Sequence, residues 1–201
     1  METLFYTVLG YFCGSILFAR LNARIFRKPE IITKSPDGNP GTFNAFTYGG
    51  FLCGVLTLIG DMAKGYLPVM LYLRSMGAGL PEGLPLVLAA PVIGHAFPVY
   101  SRLHGGKGIA VTFGVLLGLT PWFHSVWILV FWFLFFSLIV KVSPNIHRTF
   151  ITYLFTVVSM AFLAPTRIWV GFGLISLVVM VRLAISPEEK TEWTVSPIWK
   201  H

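Results

Sequence analysis

Long apolar runs separated by short polar segments dominate the sequence. The runs fall at about 3–21, 46–73, 84–101, 109–120, 122–140, 149–165 and 168–185. A transmembrane helix needs about 20 mainly apolar residues to cross roughly 30 Å of hydrocarbon. The run at 109–120 is short and is followed at once by Thr120 and Pro121, so it fits either a half-length helix or a tight re-entrant turn. The pattern predicts an all-α polytopic membrane protein with about seven transmembrane helices, and a count of six stays open.

The composition favours a membrane protein and excludes two other classes. Of the 201 residues, 55% are hydrophobic and only 11% are charged, and the mean hydropathy is +0.75. Soluble domains carry about 25% charged residues, and disordered chains combine low hydrophobicity with high charge. With short loops, about seven spans account for nearly all of the 201 residues. A single membrane domain over 1–201 is therefore expected, with no separate soluble domain.

The N-terminus and the cysteines add two further expectations. No basic segment precedes the first apolar run and no small-residue cleavage site follows it, so this run is predicted to be a retained span and not a secretory signal. Cys13 and Cys53 lie in apolar runs without a second ligand at metal spacing. They are interpreted as small buried hydrophobic residues, and no metal site is expected.

Small residues mark possible helix contacts within the apolar runs. Glycine pairs spaced four residues apart occur at Gly10/Gly14, Gly50/Gly54 and Gly114/Gly118. Such pairs allow two helix backbones to approach closely in lipid. For any single pair, an ordinary membrane glycine without a packing role is the alternative.

The distribution of Lys and Arg among the connections predicts the orientation. The second and sixth connections hold one cation each, whereas the first, third and fifth together hold nine: Arg20, Arg24, Arg27, Lys28, Lys34, Arg102, Lys107, Lys141 and Arg148. Cytoplasmic loops carry the excess of such residues, so the N-terminus is predicted outside and the C-terminus in the cytoplasm. The net charge of +7 then reflects topology, with some attraction to anionic membrane lipids. No nucleic-acid partner is expected, because the basic residues are dispersed.

Two glycine-rich segments fall on the predicted cytoplasmic side, each directly before an apolar helix. Loop 1 covers 34–44 (KSPDGNPGTFN). Loop 2 covers 104–108 (HGGKG) and comes shortly after the segment 94–98 (GHAFP). Glycine N–H groups at a helix start form an anion site, and a lysine adds a charge suited to phosphate. Each segment alone also fits a tight turn. Two on one face favour a phosphate-binding site formed by Gly38, Asn39, Gly41, Gly105, Gly106, Lys107 and Gly108.

The kind of phosphate site can be narrowed from the sequence. The segment at 105–108 is not a nucleotide P-loop, because Ser101 stands where the first glycine is required and Gly108 where serine or threonine is required. The sequence also has no acidic cluster that would hold magnesium beside a nucleotide. A phosphorylated substrate at the membrane surface, without nucleotide, metal or other cofactor, is therefore expected.

Five further residues are candidates outside the glycine positions. Asp61 and Lys64 lie within a span on one helix face, where ionisable residues are either functional or a self-satisfied pair that locks the helix. His95 is either a general base or a support for the glycine loop. Asn44, like Asn39, either binds a ligand or caps and turns the chain. Ser143 faces the same side and is a weaker candidate.

Together these segments resemble the bacterial acyl-phosphate:glycerol-3-phosphate acyltransferases over most of the chain. The resemblance is carried by Gly10-Tyr11, Gly14-Ser15-Ile16 and Phe18-Ala19, by GNPG at 38–41 with Asn44, by DMAKG at 61–65, by GHAFPV at 94–99, by GGKGIA at 105–110 and, weakly, by KVS at 141–143. The blocks at 94–99 and 105–110 are the most distinctive. The chain is identified as a divergent member of this family.

The resemblance implies a seven-helix enzyme of the bacterial plasma membrane with its active site on the cytoplasmic face. It also implies transfer of a fatty acyl group from acyl phosphate to the 1-hydroxyl of glycerol 3-phosphate, which yields lysophosphatidate and phosphate for phospholipid biosynthesis. Acyl phosphate is an activated mixed anhydride, so direct attack by the acceptor hydroxyl is expected. His95, Lys107 and Asn44 are the catalytic candidates. The proton acceptor is either His95 or a phosphate oxygen of the donor.

Several positions depart from the family pattern. Asp37 stands where the family usually has serine, Phe43 where it has threonine, and Thr47 where it has arginine. His104 replaces the usual lysine, and Leu183 replaces the usual histidine. Glu188 and Glu189 follow where basic residues are usual. The donor half of the site is thus preserved and the acceptor half altered, with Asp37 and His104 as possible supporting residues. A member that acylates another hydroxyl acceptor, a small anion or lipid transporter, and an inactive scaffold stay open as alternatives.

Overall fold

The computed structural model of the chain describes residues 1–35, 38–77, 79–120, 123–186, 192 and 194–197. Its helices are α1 Glu2–Gly14, α2 Phe18–Ile25, α3 Glu30–Thr33, α4 Thr42–Gly49, α5 Phe51–Met76, α6 Leu84–Ala96, α7 Ile109–Leu117, α8 Val126–Leu134, α9 Asn145–Leu163 and α10 Thr166–Ala184. A 3₁₀ turn covers Val99–Ser101 and a π-helical turn covers Phe135–Ile139. Two strands, β1 Val140–Ser143 and β2 Thr194–Pro197, pair antiparallel.

Within the described ranges, five helical segments are long and apolar enough to cross a membrane. They are Glu2–Ile25, Phe51–Met76, Leu84–Ser101, Asn145–Leu163 and Thr166–Ala184. The apolar segment Val126–Ile139 and helix α7 are shorter. The predicted helical membrane fold is confirmed. The count of about seven spans and the orientation of the termini stay predictions.

Two of the expected runs are interrupted by breaks in the helix. The run at 3–21 is divided between α1 and α2, because the backbone of Leu17 is extended. The run at 46–73 is divided between α4 and α5 at Gly50, whose φ of +86° lies in the left-handed region that favours glycine. This second break gives loop 1 a short helix of its own, α4, so that the loop is held close to α5.

The expected run at 122–140 also ends differently. Instead of a helix to residue 140, the chain leaves α8 through the π-helical turn and enters β1. The strand pairs with a distant segment, with Val140 opposite Pro197 and Ser143 opposite Thr194. The all-α expectation therefore needs one correction, a small two-stranded sheet outside the helices. Pairing over such a sequence distance leaves no local signal in the apolar pattern.

Glycines permit the closest helix contacts in the described bundle. Helix α6 packs against α1 and α10, and α5 packs against α1 and α7. A Cβ at Gly14 would lie 2.1 Å from the carbonyl oxygen of Pro91 on α6, and one at Gly114 would lie 2.0 Å from that of Met62 on α5. Gly10/Gly14 and Gly114/Gly118 thus lie at helix crossings as predicted, whereas Gly50 ends a helix and a Cβ at Gly54 would meet the ring of Phe46.

Candidate active site

The two glycine loops line one cavity, here called the main cavity. Its volume is about 410 Å³. The polar lining comes from both loops, from α5 and α6 and from the start of α9, while aromatic and aliphatic side chains of α5, α7 and α8 form an apolar wall. The lining residues are Asn39, Gly41, Thr42, Phe43, Asn44, Leu58, Asp61, His95, Lys107, Gly108, Ile109, Ala110, Phe113, Phe133, Asn145, Arg148 and Thr149.

Loop 1 is held in its turn by an asparagine at the start of α4. Asn44 is buried, and its Nδ2 donates to the carbonyl oxygen of Asn39 at 2.8 Å. The backbone N–H of Gly41 donates to the same oxygen at 2.8 Å. Gly38 has a φ of +56°, which other residues adopt at a cost. Asn44 therefore stabilises the turn of loop 1, which is one of the alternatives that the sequence allows, and it also lines the main cavity.

Loop 2 lies directly against His95. The backbone N–H of Gly106 donates to the carbonyl oxygen of His95 at 3.0 Å. A Cβ at Gly105 would lie 1.9 Å from that oxygen, and a Cβ at Gly106 would lie 2.2 Å from His95 Nε2. Gly108 has a φ of +82° and precedes the first residue of α7. The glycines of this loop are thus required by close approach and by backbone conformation.

Beneath loop 2, a buried lysine joins an aspartate and a histidine. Lys64 is 4% exposed, Asp61 is 1% exposed and His95 is 3% exposed. Lys64 Nζ lies 2.8 Å from Asp61 Oδ1 and 2.8 Å from His95 Nδ1, and it donates to the carbonyl oxygen of Ile16 at 2.5 Å. An ammonium group has three donors and no acceptor. Lys64 therefore has three close partners, two through hydrogen bonds and Asp61 through an ion pair, and we call Asp61, Lys64 and His95 the buried triad.

The buried triad defines the hydrogen-bonding state of His95. Because the Lys64 ammonium can only donate, His95 Nδ1 accepts, and the proton of the neutral ring is then on Nε2. That nitrogen is the one that faces Gly106. His95 therefore links the α5 ion pair to loop 2, in the manner of a support for the glycine loop.

The structure brings most of the predicted site residues together. Ten of the predicted positions line the main cavity, the second cavity described below, or both: Gly38, Asn39, Gly41, Asn44, Asp61, His95, His104, Gly105, Lys107 and Gly108. Gly106 and Lys64 lie against His95. Ser143 is exposed on β1 and lines neither cavity. Asp37, Glu188 and Glu189 lie outside the described residues.

The start of α9 contributes residues that the sequence analysis missed. Arg148 and Asn145 line the main cavity, and Arg148 Nη2 donates to Asn145 Oδ1. In the sequence, Arg148 is one of the cytoplasmic cations that predict the orientation. Arg148 lies three residues after Asn145 in the first turn of α9, and this spacing places both side chains on the same face of the helix. The main cavity therefore presents two cations, Lys107 and Arg148, near its polar lining.

A second cavity of about 390 Å³ adjoins the first and shares Asn39 with it. We call it the basic cup, because three arginines and a histidine line it: Arg20, Arg102, Arg182 and His104. None of the arginines was a candidate from the sequence. Arg20 and Arg182 nevertheless lie inside the expected apolar runs, so the rule that singled out Asp61 and Lys64 also applies to them.

In the described part of the chain, no group of three or more His, Cys, Asp or Glu side chains is placed to hold a metal ion. The lining of the main cavity instead combines loop glycines, asparagine amides, the cations Lys107 and Arg148, the buried Asp61 and His95, and an apolar wall. Such a lining can bind an anionic head group together with an acyl chain.

Comparison with known proteins places this geometry in a family. The sequence model of glycerol-3-phosphate acyltransferase matches residues 4–188. A curated protein of that name from Methylobacillus flagellatus is 39% identical over 136 residues, which are 65% of this chain and 67% of the relative. The relative of the same name from Cupriavidus necator is 35% identical over 156 residues, which are 75% of this chain and 77% of the relative.

The fold is similar to that of a solved membrane protein. Crystal structures of PlsY (YgiH), described as an integral membrane glycerol 3-phosphate acyltransferase, are known in a lysophosphatidic acid form and a glycerol 3-phosphate form. Each superposes with a TM-score of 0.76 and 23% identity, over 90% of this chain and 88% of that chain. Both the sequence match and the helical arrangement agree with the resemblance found in the glycine loops. The chain belongs to the glycerol-3-phosphate acyltransferase family.

Proposed function

We propose that the protein transfers a fatty acyl group from acyl phosphate to the 1-hydroxyl of glycerol 3-phosphate, giving lysophosphatidate and inorganic phosphate. The reaction takes place at the cytoplasmic face of a bacterial plasma membrane. Family membership and the two glycine loops support this function. One observation carries it: residues of both loops line a single cavity that also has an apolar wall, so an activated phosphate and a lipid chain fit side by side.

The main cavity suits acyl phosphate in particular. Lys107 and Arg148 provide positive charge for the phosphate, and Lys107 lies two residues before the first residue of α7. Phe113 and Phe133, whose ring centroids lie 5.6 Å apart, form an apolar surface for the first part of the acyl chain. Groups already in place for a departing anion stabilise the transition state at no reorganisation cost. The cavity thus supports a donor that leaves as phosphate.

The chemical step needs no covalent enzyme intermediate. The acceptor oxygen attacks the carbonyl carbon of the mixed anhydride, a new ester C–O bond forms, and the C–O bond to phosphate breaks. The proton of the attacking hydroxyl passes to an oxygen of the departing phosphate. His95 is poorly suited to take it, because Nδ1 already accepts from Lys64 and Nε2 carries the ring proton. We therefore assign His95 to the positioning of loop 2, with Lys107 in contact with the phosphate.

The experiment uses the purified full chain in lipid nanodiscs. Palmitoyl phosphate is offered with glycerol 3-phosphate in competition with other polyols and lysolipids, and with palmitoyl-CoA as an alternative donor. We expect lysophosphatidate and inorganic phosphate in equal amounts from palmitoyl phosphate and no product from palmitoyl-CoA. Products with every acceptor except glycerol 3-phosphate would contradict the assignment. So would passage of glycerol phosphate into liposomes by a protein that never releases phosphate from palmitoyl phosphate, because that result fits a transporter.

A further inference from the structure

The basic cup lies beside the main cavity along the same two loops. Gly38 and Gly105 line the cup, and Gly41 and Gly108 line the main cavity, with Asn39 common to both. Each loop therefore passes from one cavity to the other. A ligand in the cup would thus adjoin a ligand in the main cavity at Asn39.

Two of the arginines are fixed by contacts with loop 2. Arg20 Nη2 donates to the carbonyl oxygen of His104 at 3.3 Å, and Arg182 Nη2 donates to that of Gly105 at 2.6 Å. Arg182 also lies over the ring of Phe97, with Cζ 5.9 Å from the ring centroid. These contacts orient the guanidinium groups but each uses only one of five N–H donors. Both groups keep donors for an anion while their positions are set.

The charge of the cup is not balanced within the described part of the chain. No aspartate or glutamate is among its lining residues, and neither Arg20 nor Arg182 has a carboxylate partner in the described ranges. Three guanidinium groups around one open cavity repel one another unless an anion lies between them. Planar guanidinium forks match phosphate oxygens two at a time. The composition of the cup therefore suits a doubly charged phosphate monoester.

The backbone of the third arginine supports the same interpretation. Arg102 has a φ of +48° and Leu103 has a φ of +63°, so two consecutive non-glycine residues adopt the left-handed conformation. Arg102 ends the 3₁₀ turn Val99–Ser101 in this conformation, and such a turn end sets the direction in which the following side chains leave the helix. Here it places the exposed Arg102 at the rim of the cup.

We propose that Arg20 and Arg182, with Arg102 at the rim, bind the phosphate monoester of the hydroxyl acceptor and so select a phosphorylated acceptor. The proposal rests on the acyl transfer proposed above and adds the residues that recognise the acceptor. It places the acceptor phosphate in the basic cup and the acyl phosphate in the main cavity, with the acceptor hydroxyl directed past Asn39. The same chemistry is present in the head group of an anionic lipid, and the experiment distinguishes the two sources.

The variants are Arg20→Gln and Arg182→Gln, with Arg20→Lys and Arg182→Lys to keep the charge. Arg24→Gln is the matched control, because Arg24 lies on α2 one turn from Arg20, is exposed and does not line the cup. The assays measure the KM for glycerol 3-phosphate, the KM for palmitoyl phosphate, and the ratio of kcat/KM for glycerol 3-phosphate to that for uncharged glycerol.

We expect each glutamine variant to raise the KM for glycerol 3-phosphate about 10- to 100-fold, the loss typical of one hydrogen bond to a charged group. The KM for palmitoyl phosphate changes much less, and the preference for glycerol 3-phosphate over glycerol falls by a similar factor. The lysine variants recover part of the loss. An equal rise in both KM values would assign the arginines to the shape of loop 2 and overturn the proposal, as would wild-type values in both variants.

The source of the phosphate is tested with two kinds of nanodisc, one of phosphatidylcholine alone and one that also contains phosphatidylglycerol. If the cup binds a lipid head group instead, the glutamine variants differ from the wild type only with phosphatidylglycerol, which overturns the proposal. Binding of radiolabelled glycerol 3-phosphate to the wild type and to Arg20→Gln is measured separately without donor. A failed acyl transfer with Arg20-dependent binding would reject the proposed donor chemistry while it supports the cup.

Discussion

Replacement of Lys64 by methionine removes the cation from the buried triad and keeps most of its volume. Asp61 would then be a buried carboxylate without its partner at 2.8 Å, and His95 Nδ1 would lose its donor at 2.8 Å. Removal of one member of a buried ion pair costs about 3–5 kcal/mol. For a chain of about 200 residues, each kcal/mol lowers Tm by roughly 2–4 °C. We therefore expect Lys64→Met to lower Tm by roughly 6–20 °C.

The assay is thermal unfolding of the purified protein in detergent, followed by far-UV circular dichroism. Lys141→Met is the matched control, because Lys141 is exposed on β1, and it should melt within about 1–2 °C of the wild type. The double variant Asp61→Asn/Lys64→Met removes both charges, so it should melt above Lys64→Met. A wild-type Tm for Lys64→Met, or a double variant less stable than the single one, would refute the reasoning that the buried Asp61–Lys64 ion pair stabilises the fold.

Three further predictions concern packing and the main cavity. Gly114→Ala places a Cβ 2.0 Å from the Met62 carbonyl oxygen and should destabilise the protein by about 1–3 kcal/mol. Gly173→Ala is the control, because its Cβ meets nothing within 4 Å and the change should be tolerated. Equal melting temperatures of the two variants would contradict this packing argument. Arg148→Gln should raise the KM for palmitoyl phosphate about tenfold with little change in that for glycerol 3-phosphate, and the opposite split would remove Arg148 from the donor site. Phe113→Trp narrows the apolar wall, so activity with palmitoyl phosphate should fall relative to decanoyl phosphate in steady-state assays; an unchanged chain preference would exclude this wall as the acyl site.

The helices that the sequence predicts well are those whose apolar runs are long and continuous. The runs at 84–101 and 168–185 agree closely with the helical segment Leu84–Ser101 and with α10, because lipid requires an apolar surface along the whole helix. The break at Gly50 and the β1–β2 pair were missed. A glycine within an apolar run does not reveal whether it adopts a left-handed φ, and strand pairing between distant segments depends on the tertiary fold.

The glycine loops could be predicted because their residue types are themselves the signal. Loop residues such as Asn39 and Lys107 are close in sequence to other members of their own motif, and both line the main cavity. The arginines of the basic cup are different, since Arg20 on α2 and Arg182 on α10 are 162 positions apart and line the same cavity only in the folded chain. In the sequence, each is an isolated cation near the end of an apolar run. Only the fold brings them to the same cavity.

The central claim is that both glycine loops form one site for acyl phosphate, and Lys107 tests it most directly. The measurement is single-turnover release of inorganic phosphate from palmitoyl phosphate in the presence of glycerol 3-phosphate, by wild type, Lys107→Met and the exposed control Lys141→Met. Loss of a charge-stabilising donor from such a site lowers the rate about 100- to 1000-fold. We predict that loss for Lys107→Met, with an unchanged Tm and a wild-type rate for Lys141→Met. A folded Lys107→Met protein that releases phosphate at the wild-type rate would contradict the account.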